Sequence, residues 1–192
     1  PLPCPVGSYS SSTDLWHADN CTACPVGHSC STGSATSTPC AAGTMSPAEG
    51  APRCSDCVAG SFQDAGGATA CKACPAGSYC VEGSSAALPC PGGRFSSQTQ
   101  LSSADQCVPS NAGTFCFAGA VVPMNCTAGT HSPNSGSTLC LPCPESTYQP
   151  SVGQSACLDC GSGFLCAEGS SVRLPAACDA GTYLAEGGVF NT

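Results

Sequence analysis

The chain has 192 residues, among them 20 cysteines, 23 glycines and 17 prolines, and its net charge is −8. Leucine, valine and phenylalanine make up about 14% of the chain and isoleucine is absent, which is too little to build a large apolar core. A single-core enzyme domain is therefore not expected. The four basic residues exclude a nucleic-acid surface and docking on anionic lipid.

The cysteine content predicts an oxidising compartment, because unpaired thiols in such number would need a metal or a catalytic role in the cytosol. Two Asn-X-Thr sequons begin at Asn20 and Asn125, and both are expected to carry N-linked glycans. No stretch is long and apolar enough to span a membrane. The chain begins directly in the cysteine pattern, so we expect a mature chain or a piece of a longer one. Its expected location is extracellular or at the cell surface.

A shift of 86 residues superimposes the sequence on itself. Nine cysteines from Cys4 to Cys80 fall on nine cysteines from Cys90 to Cys166. The predicted organisation is a leader at 1–3, repeat 1 at 4–89, repeat 2 at 90–177 and the start of a third repeat at 178–192.

Each repeat contains smaller modules of two kinds. One begins Cys-X-X-Gly-X-aromatic and closes at a cysteine 14 or 17 positions later, as from Cys57 to Cys71. The other is a tight Cys-X5-Cys loop, as from Cys74 to Cys80, followed by a Gly/Ser-rich connector. Helical periodicity is absent, and the Gly-X-Tyr/Phe steps suit short strands after turns. The predicted fold is a small disulfide-rich one: an elongated tandem array of cysteine-rich modules with short β-hairpins, little helix and no large core.

The order Cys-Pro-X-Gly-X-Tyr/Phe-Ser, Cys-X-X-Cys, Cys-Pro-X-Gly-X-Tyr-Cys and Gly-Ser-X4-Pro-Cys resembles the ephrin-receptor-like cysteine-rich repeat. That repeat is similar to tumour-necrosis-factor-receptor and EGF-like modules, and it also occurs in large extracellular proteins of protists such as flagellar-hair (mastigoneme) proteins. The resemblance covers nearly the whole chain and implies a disulfide repeat, without specifying a function.

The resemblance to tumour-necrosis-factor-receptor modules implies that the first cysteine of each module pairs with the second. This internal scheme gives Cys4–Cys21, Cys24–Cys30, Cys40–Cys54, Cys57–Cys71, Cys74–Cys80, Cys90–Cys107, Cys126–Cys140, Cys143–Cys157 and Cys160–Cys166. It leaves Cys116, which faces Ser110 in place of a partner, and Cys178, which opens the third repeat. A competing scheme closes the connectors instead, for example Cys30–Cys40. Cys116 is interpreted either as an inter-chain disulfide or as a buried free thiol.

Zinc is an alternative, because Cys54, Cys57, Cys71 and Cys74 have nearly the spacing of a four-cysteine zinc site. The second repeat has the same spacing from Cys140 to Cys160. A zinc site would leave the flanking cysteines unused, so no metal, cofactor or catalytic residue is predicted. The three histidines, His17, His28 and His131, are interpreted as solvated loop residues. Trp16 is interpreted as a partly buried anchor, with a carbohydrate or partner contact as the alternative.

These features favour a non-catalytic structural or adhesive segment of a long glycosylated surface protein or filament. Its expected partners are copies of itself or other filament or surface proteins. The alternative is a ligand-binding receptor ectodomain of the tumour-necrosis-factor-receptor or ephrin-receptor-like kind. A metal or redox protein is the third hypothesis.

Overall fold

Short hairpins follow one another along the whole described chain. The structure, a computed structural model, describes residues 2–176 and two further strand segments at 183–184 and 190–191. Every strand has two residues, and each odd-numbered strand pairs with the next even-numbered one in an antiparallel hairpin. The predicted tandem array of cysteine-rich hairpin modules is confirmed. The strands are β1 (Ser8–Tyr9), β2 (Thr22–Ala23), β3 (His28–Ser29), β4 (Thr38–Pro39), β5 (Thr44–Met45), β6 (Ser55–Asp56), β7 (Ser61–Phe62), β8 (Lys72–Ala73), β9 (Ser78–Tyr79), β10 (Leu88–Pro89), β11 (Arg94–Phe95), β12 (Val108–Pro109), β13 (Thr114–Phe115), β14 (Met124–Asn125), β15 (Thr130–His131), β16 (Leu141–Pro142), β17 (Thr147–Tyr148), β18 (Leu158–Asp159), β19 (Phe164–Leu165), β20 (Leu174–Pro175), β21 (Tyr183–Leu184) and β22 (Phe190–Asn191). Two 3₁₀ turns lie at Ala18–Asn20 and Ala104–Gln106.

The Cys-X-X-Gly step begins the hairpins because it forms a tight turn, with Ser110 in place of the cysteine before β13 and Ser146 in place of the glycine before β17. In the first module the Ser8 amide donates to the Pro5 carbonyl at 3.1 Å, and Gly7 has a φ of +82°, a conformation that costs glycine little. The amide of Cys24, which opens the next module, donates back to the Gly7 carbonyl at 2.9 Å. The two residues before each opening position therefore form the second strand, so the Gly/Ser-rich connectors end in strands such as Thr38–Pro39.

The first compact unit comprises residues 1–89 and 97–106. Backbone hydrogen bonds join its consecutive hairpins: the Gly7 amide donates to the Cys30 carbonyl at 2.9 Å, and the Cys30 amide donates to the Ala51 carbonyl at 3.0 Å. In the return direction the Gly33 amide donates to the Cys4 carbonyl at 2.9 Å. Two-residue strands are too short to be stable alone, so this ladder is what orders the modules.

The second compact unit comprises residues 90–96 and 107–192. Its described part repeats the same ladder: the Gly93 amide donates to the Cys116 carbonyl at 2.8 Å, and the Cys116 amide donates to the Ser137 carbonyl at 3.0 Å. The Gly119 amide donates to the Cys90 carbonyl at 2.9 Å. The positions are those of the first unit plus 86, so the sequence repeat is a repeat of backbone contacts as well.

Sulfur fills the interior. Fourteen cysteines are buried, and Leu101 is the one other apolar side chain that is buried among the described residues. The buried Gln63 amide holds a loop closed, because its nitrogen donates to the Ala70 carbonyl at 2.7 Å and its oxygen accepts from the Ala65 amide at 3.1 Å. Gln149 does the same one repeat later. The core thus consists of disulfides framed by backbone hydrogen bonds.

Candidate functional site

Nine disulfides connect the described residues, and their pairs coincide with the internal scheme rather than with the connector scheme. The pairs are Cys4–Cys21, Cys24–Cys30, Cys40–Cys54, Cys57–Cys71, Cys74–Cys80, Cys90–Cys107, Cys126–Cys140, Cys143–Cys157 and Cys160–Cys166. Each bond stays within one module. Each disulfide therefore stabilises a single module, whereas backbone hydrogen bonds connect one module to the next.

The cysteines with zinc-like spacing are divided among three bonds. Cys54 is bonded to Cys40, Cys57 to Cys71, and Cys74 to Cys80. Zinc binds thiolate sulfur, and a disulfide offers none. The spacing that suggested zinc arises because the end of each module directly precedes the opening cysteine of the next.

One histidine lies against a disulfide, which the sequence reading did not anticipate. The Nδ1 atom of His131 is 3.2 Å from the Sγ atom of Cys157, and the ring is half-buried. The interpretation of His131 as a solvated loop residue is therefore wrong. The 86-residue repeat could have drawn attention to His131, because it aligns His131 with Met45. The second repeat thus has a polar ring where the first has a thioether.

Cys116 is a free thiol and is fully buried. Burial raises its pKa, with a smaller opposing effect from a hydrogen bond with Ser110, so the unreactive protonated form is favoured. This setting favours a buried thiol over an inter-chain bond, which would need the sulfur at the surface. Cys178, the second unpaired candidate, lies outside the described residues.

Ser110→Cys is expected to create a tenth disulfide with Cys116. Ser110 occupies the opening position that Cys24 has in repeat 1, and there the equivalent pair Cys24–Cys30 is bonded with a Cα–Cα distance of 5.9 Å. Closing a loop of this size should add about 2 kcal/mol to the free energy of unfolding, or about 6 °C in Tm for a chain of this length. The measurement is thermal unfolding together with thiol counting under non-reducing conditions.

The matched control for this change is Ser110→Cys combined with Cys116→Ser, which has the new thiol and no partner. It should lack the gain in Tm. If the thiol introduced at position 110 and the Cys116 thiol can both be alkylated without reduction, the site in repeat 2 does not have the geometry of Cys24–Cys30 and the prediction is wrong.

Both sequon asparagines are exposed, Asn20 at the end of a 3₁₀ turn and Asn125 in β14. Their glycosylation stays a prediction. Trp16 is 78% exposed, so its interpretation as a partly buried anchor is wrong. The indole is instead available for contact with another molecule.

One segment of each repeat matches a known protein family. The family model described as tyrosine-protein kinase ephrin type A/B receptor-like matches residues 43–87 and 129–172. These two segments are ephrin-receptor-like repeats. Their starting points are 86 residues apart, and each spans one long-loop bond and one tight-loop bond, Cys57–Cys71 and Cys74–Cys80 in the first. No curated protein sequence matches the chain significantly.

Ephrin-receptor-like repeats of this kind are ligand-binding or structural modules rather than catalytic ones. Together with the extensive disulfides they indicate an extracellular, receptor-like repeat segment. Among the residues that the structure describes, no helix has the length and apolar character needed to cross a bilayer.

Proposed function

We propose that the chain is a non-catalytic structural or adhesive segment of a longer, glycosylated surface protein or filament. The observation that carries the proposal is the serial ladder in each compact unit: backbone bonds join each module to its neighbours, and every described module except the one that contains Cys116 has its own disulfide. Such a design can be extended by adding modules without rebuilding a core. Its partners are proposed to be copies of itself or other filament or surface proteins.

Exposed apolar side chains on the second compact unit support the proposal of a protein partner. The first residue of each second strand there is apolar, and these side chains are between 46% and 62% exposed: Val108, Met124, Leu141, Leu158 and Leu174. Four of the equivalent positions of repeat 1 are polar, namely Thr22, Thr38, Ser55 and Lys72. The two repeats share their framework and differ in this surface, which is what a contact made by one repeat would require.

A ligand-binding receptor ectodomain is the second candidate. It is favoured by the family to which the two matched segments belong and by the exposed Trp16 side chain, since exposed aromatic residues often anchor protein contacts. This candidate predicts a chain that stays monomeric on its own and binds a different molecule.

Self-association separates the two candidates. The secreted, glycosylated chain should form linear oligomers whose size grows with concentration, seen by sedimentation velocity and electron microscopy. The matched variant carries Met124→Thr, Leu141→Ser and Leu158→Lys, which places the residues of repeat 1 on repeat 2. It should shift the association midpoint to about tenfold higher concentration, corresponding to about 1.4 kcal/mol.

A chain that remains monomeric at every concentration contradicts self-assembly and leaves the receptor candidate. A chain that associates equally well with and without the three changes contradicts the role of this surface. Removal of N-linked glycans from Asn20 and Asn125 by an endoglycosidase, followed by mass spectrometry, tests the glycan part of the proposal separately.

A further inference from the structure

His131, Cys143 and Cys157 form a compact cluster in the second repeat. The ring nitrogen of His131 and the two sulfur atoms lie within 4.8 Å of one another, and the two cysteines are bonded to each other. A disulfide sulfur carries no hydrogen, so the 3.2 Å contact from His131 Nδ1 to Cys157 Sγ is a hydrogen bond only when Nδ1 carries the proton. Cys143 is fully buried, whereas Cys157 is partly exposed.

We propose that the Cys143–Cys157 disulfide is a thiol-exchange site, with His131 as the proton donor that makes it the fastest bond of the array to open. A histidine beside a sulfur stabilises the thiolate that leaves during exchange, and a better leaving group leaves faster. Among the described residues, no other disulfide sulfur has a histidine within hydrogen-bonding distance.

The exchange begins at the partner that solvent can reach. An external thiolate attacks Sγ of Cys157, a new S–S bond forms, and the bond between Cys157 and Cys143 breaks. Its electron pair goes to Sγ of Cys143, which lies within 4.8 Å of the His131 ring nitrogen and takes the Nδ1 proton when the ring is the imidazolium, leaving a neutral imidazole. A second external thiolate then attacks the sulfur of the first external thiol in the mixed disulfide and releases the thiolate of Cys157. Two external thiols are oxidised to one disulfide, the protein bond is reduced by two electrons, and His131 regains a proton from water.

The module keeps its backbone contacts when this bond opens. The Cys143 amide donates to the Gly129 carbonyl at 2.9 Å and the Gln149 amide to the Ser170 carbonyl at 3.0 Å. The Gln149 side chain still holds the loop through the Ala156 carbonyl at 2.7 Å. Opening therefore exposes a reactive pair without dismantling the array, and the intermediate on Cys157 is a covalent link to whatever thiol attacked.

Repeat 1 contains the matched control. Cys57–Cys71 has the same sequence separation of 14, a Cα–Cα distance of 5.7 Å against 5.8 Å for Cys143–Cys157, and the same burial of its two members. Met45 occupies the place of His131 there, and a thioether has no proton to donate. The two bonds thus differ in the one group that the proposal invokes.

The test is the rate at which each bond opens in the intact chain. Glutathione is added in limited amount, the reaction is stopped with acid, and the freed cysteines are alkylated and quantified by peptide mass spectrometry. Cys143–Cys157 should open about tenfold faster than Cys57–Cys71, a modest value for proton donation by a positioned side chain. The first mixed disulfide should be found on Cys157.

Two exchanged variants decide whether His131 is responsible. His131→Met should bring the ratio of the two rates to about one, whereas Met45→His should make Cys57–Cys71 open about as fast as the natural site. Unchanged rates at the other seven disulfides show that each variant is folded. The proposal is overturned if the two bonds open at equal rates in the unmodified chain, or if Met45→His leaves the rate of Cys57–Cys71 as it was.

Discussion

Reduction of all nine disulfides, followed by alkylation, will unfold this chain at room temperature and neutral pH. Amide hydrogen exchange should become fast along the whole described chain, and the resistance of the folded form to trypsin-like and chymotrypsin-like proteases should be lost. These two measurements, made before and after reduction, check the prediction.

The physical reason is the composition of the core. A bond that closes a loop of about 15 residues contributes roughly 3 kcal/mol, chiefly by restricting the unfolded chain, and a domain is stable by only about 5–15 kcal/mol in total. Leu101 is the one buried apolar residue other than cysteine among the described residues. Nothing else in this part of the chain buries enough apolar area to offset the entropy of ordering.

A metal chelator serves as the control. A chelator would remove zinc held by the cysteines, but it does not affect the bonds between sulfurs. The disulfide framework therefore predicts no change on chelation and unfolding on reduction. The opposite result, collapse with the chelator and persistence after reduction and alkylation, would refute the framework and restore the zinc alternative.

Much of this fold could be predicted because the cysteine spacing marks the modules, while the resemblance to tumour-necrosis-factor-receptor modules implies the pairing within each one. A loop of 14 or 17 residues and a tight loop of six recur in a fixed order, and the Cys-X-X-Gly step marks the start of every hairpin except those that begin with β13 and β17. Ser110 in an opening position also explains why Cys116 has no partner. These are local features, and local features are what a single sequence carries best.

The rest depends on contacts between modules, which have no signature in one module's sequence. The close approach of turn glycines to backbone two modules further on, as from Gly93 to Gly136, could not be inferred. Neither could the partnership of His131 with Cys157, 26 residues away. Ser146 has a φ of +65° because the turn requires the left-handed conformation even where glycine is missing. The exposure of Trp16 could not be inferred either, because an aromatic residue in a cysteine-rich chain packs on a disulfide or faces solvent according to the surrounding turns.

Gly93→Ala is expected to destabilise the second compact unit by about 3 kcal/mol, which corresponds to a fall in Tm of about 10 °C. Gly93 has a φ of +82°, which costs alanine about 1 kcal/mol. A β-carbon there would also overlap the carbonyl oxygen of Gly136 and lie 2.7 Å from its carbonyl carbon. Both are backbone atoms, so relief of the overlap requires the modules that contain Gly93 and Gly136 to move apart. That movement would lengthen bonds such as the one from the Gly93 amide to the Cys116 carbonyl. Thermal unfolding of the oxidised chain measures the loss.

The partner glycine provides the control that separates the two costs. Gly136 has a φ of +74°, yet a β-carbon built on it meets nothing closer than 3.9 Å, so Gly136→Ala should lose only the conformational part, about 1 kcal/mol. The difference between the two variants therefore reports how tightly turns that lie two modules apart pack against each other. Equal losses would mean that the modules yield without cost at this contact, and the serial ladder would then be a set of loosely joined hairpins whose order comes from their sulfur bonds alone.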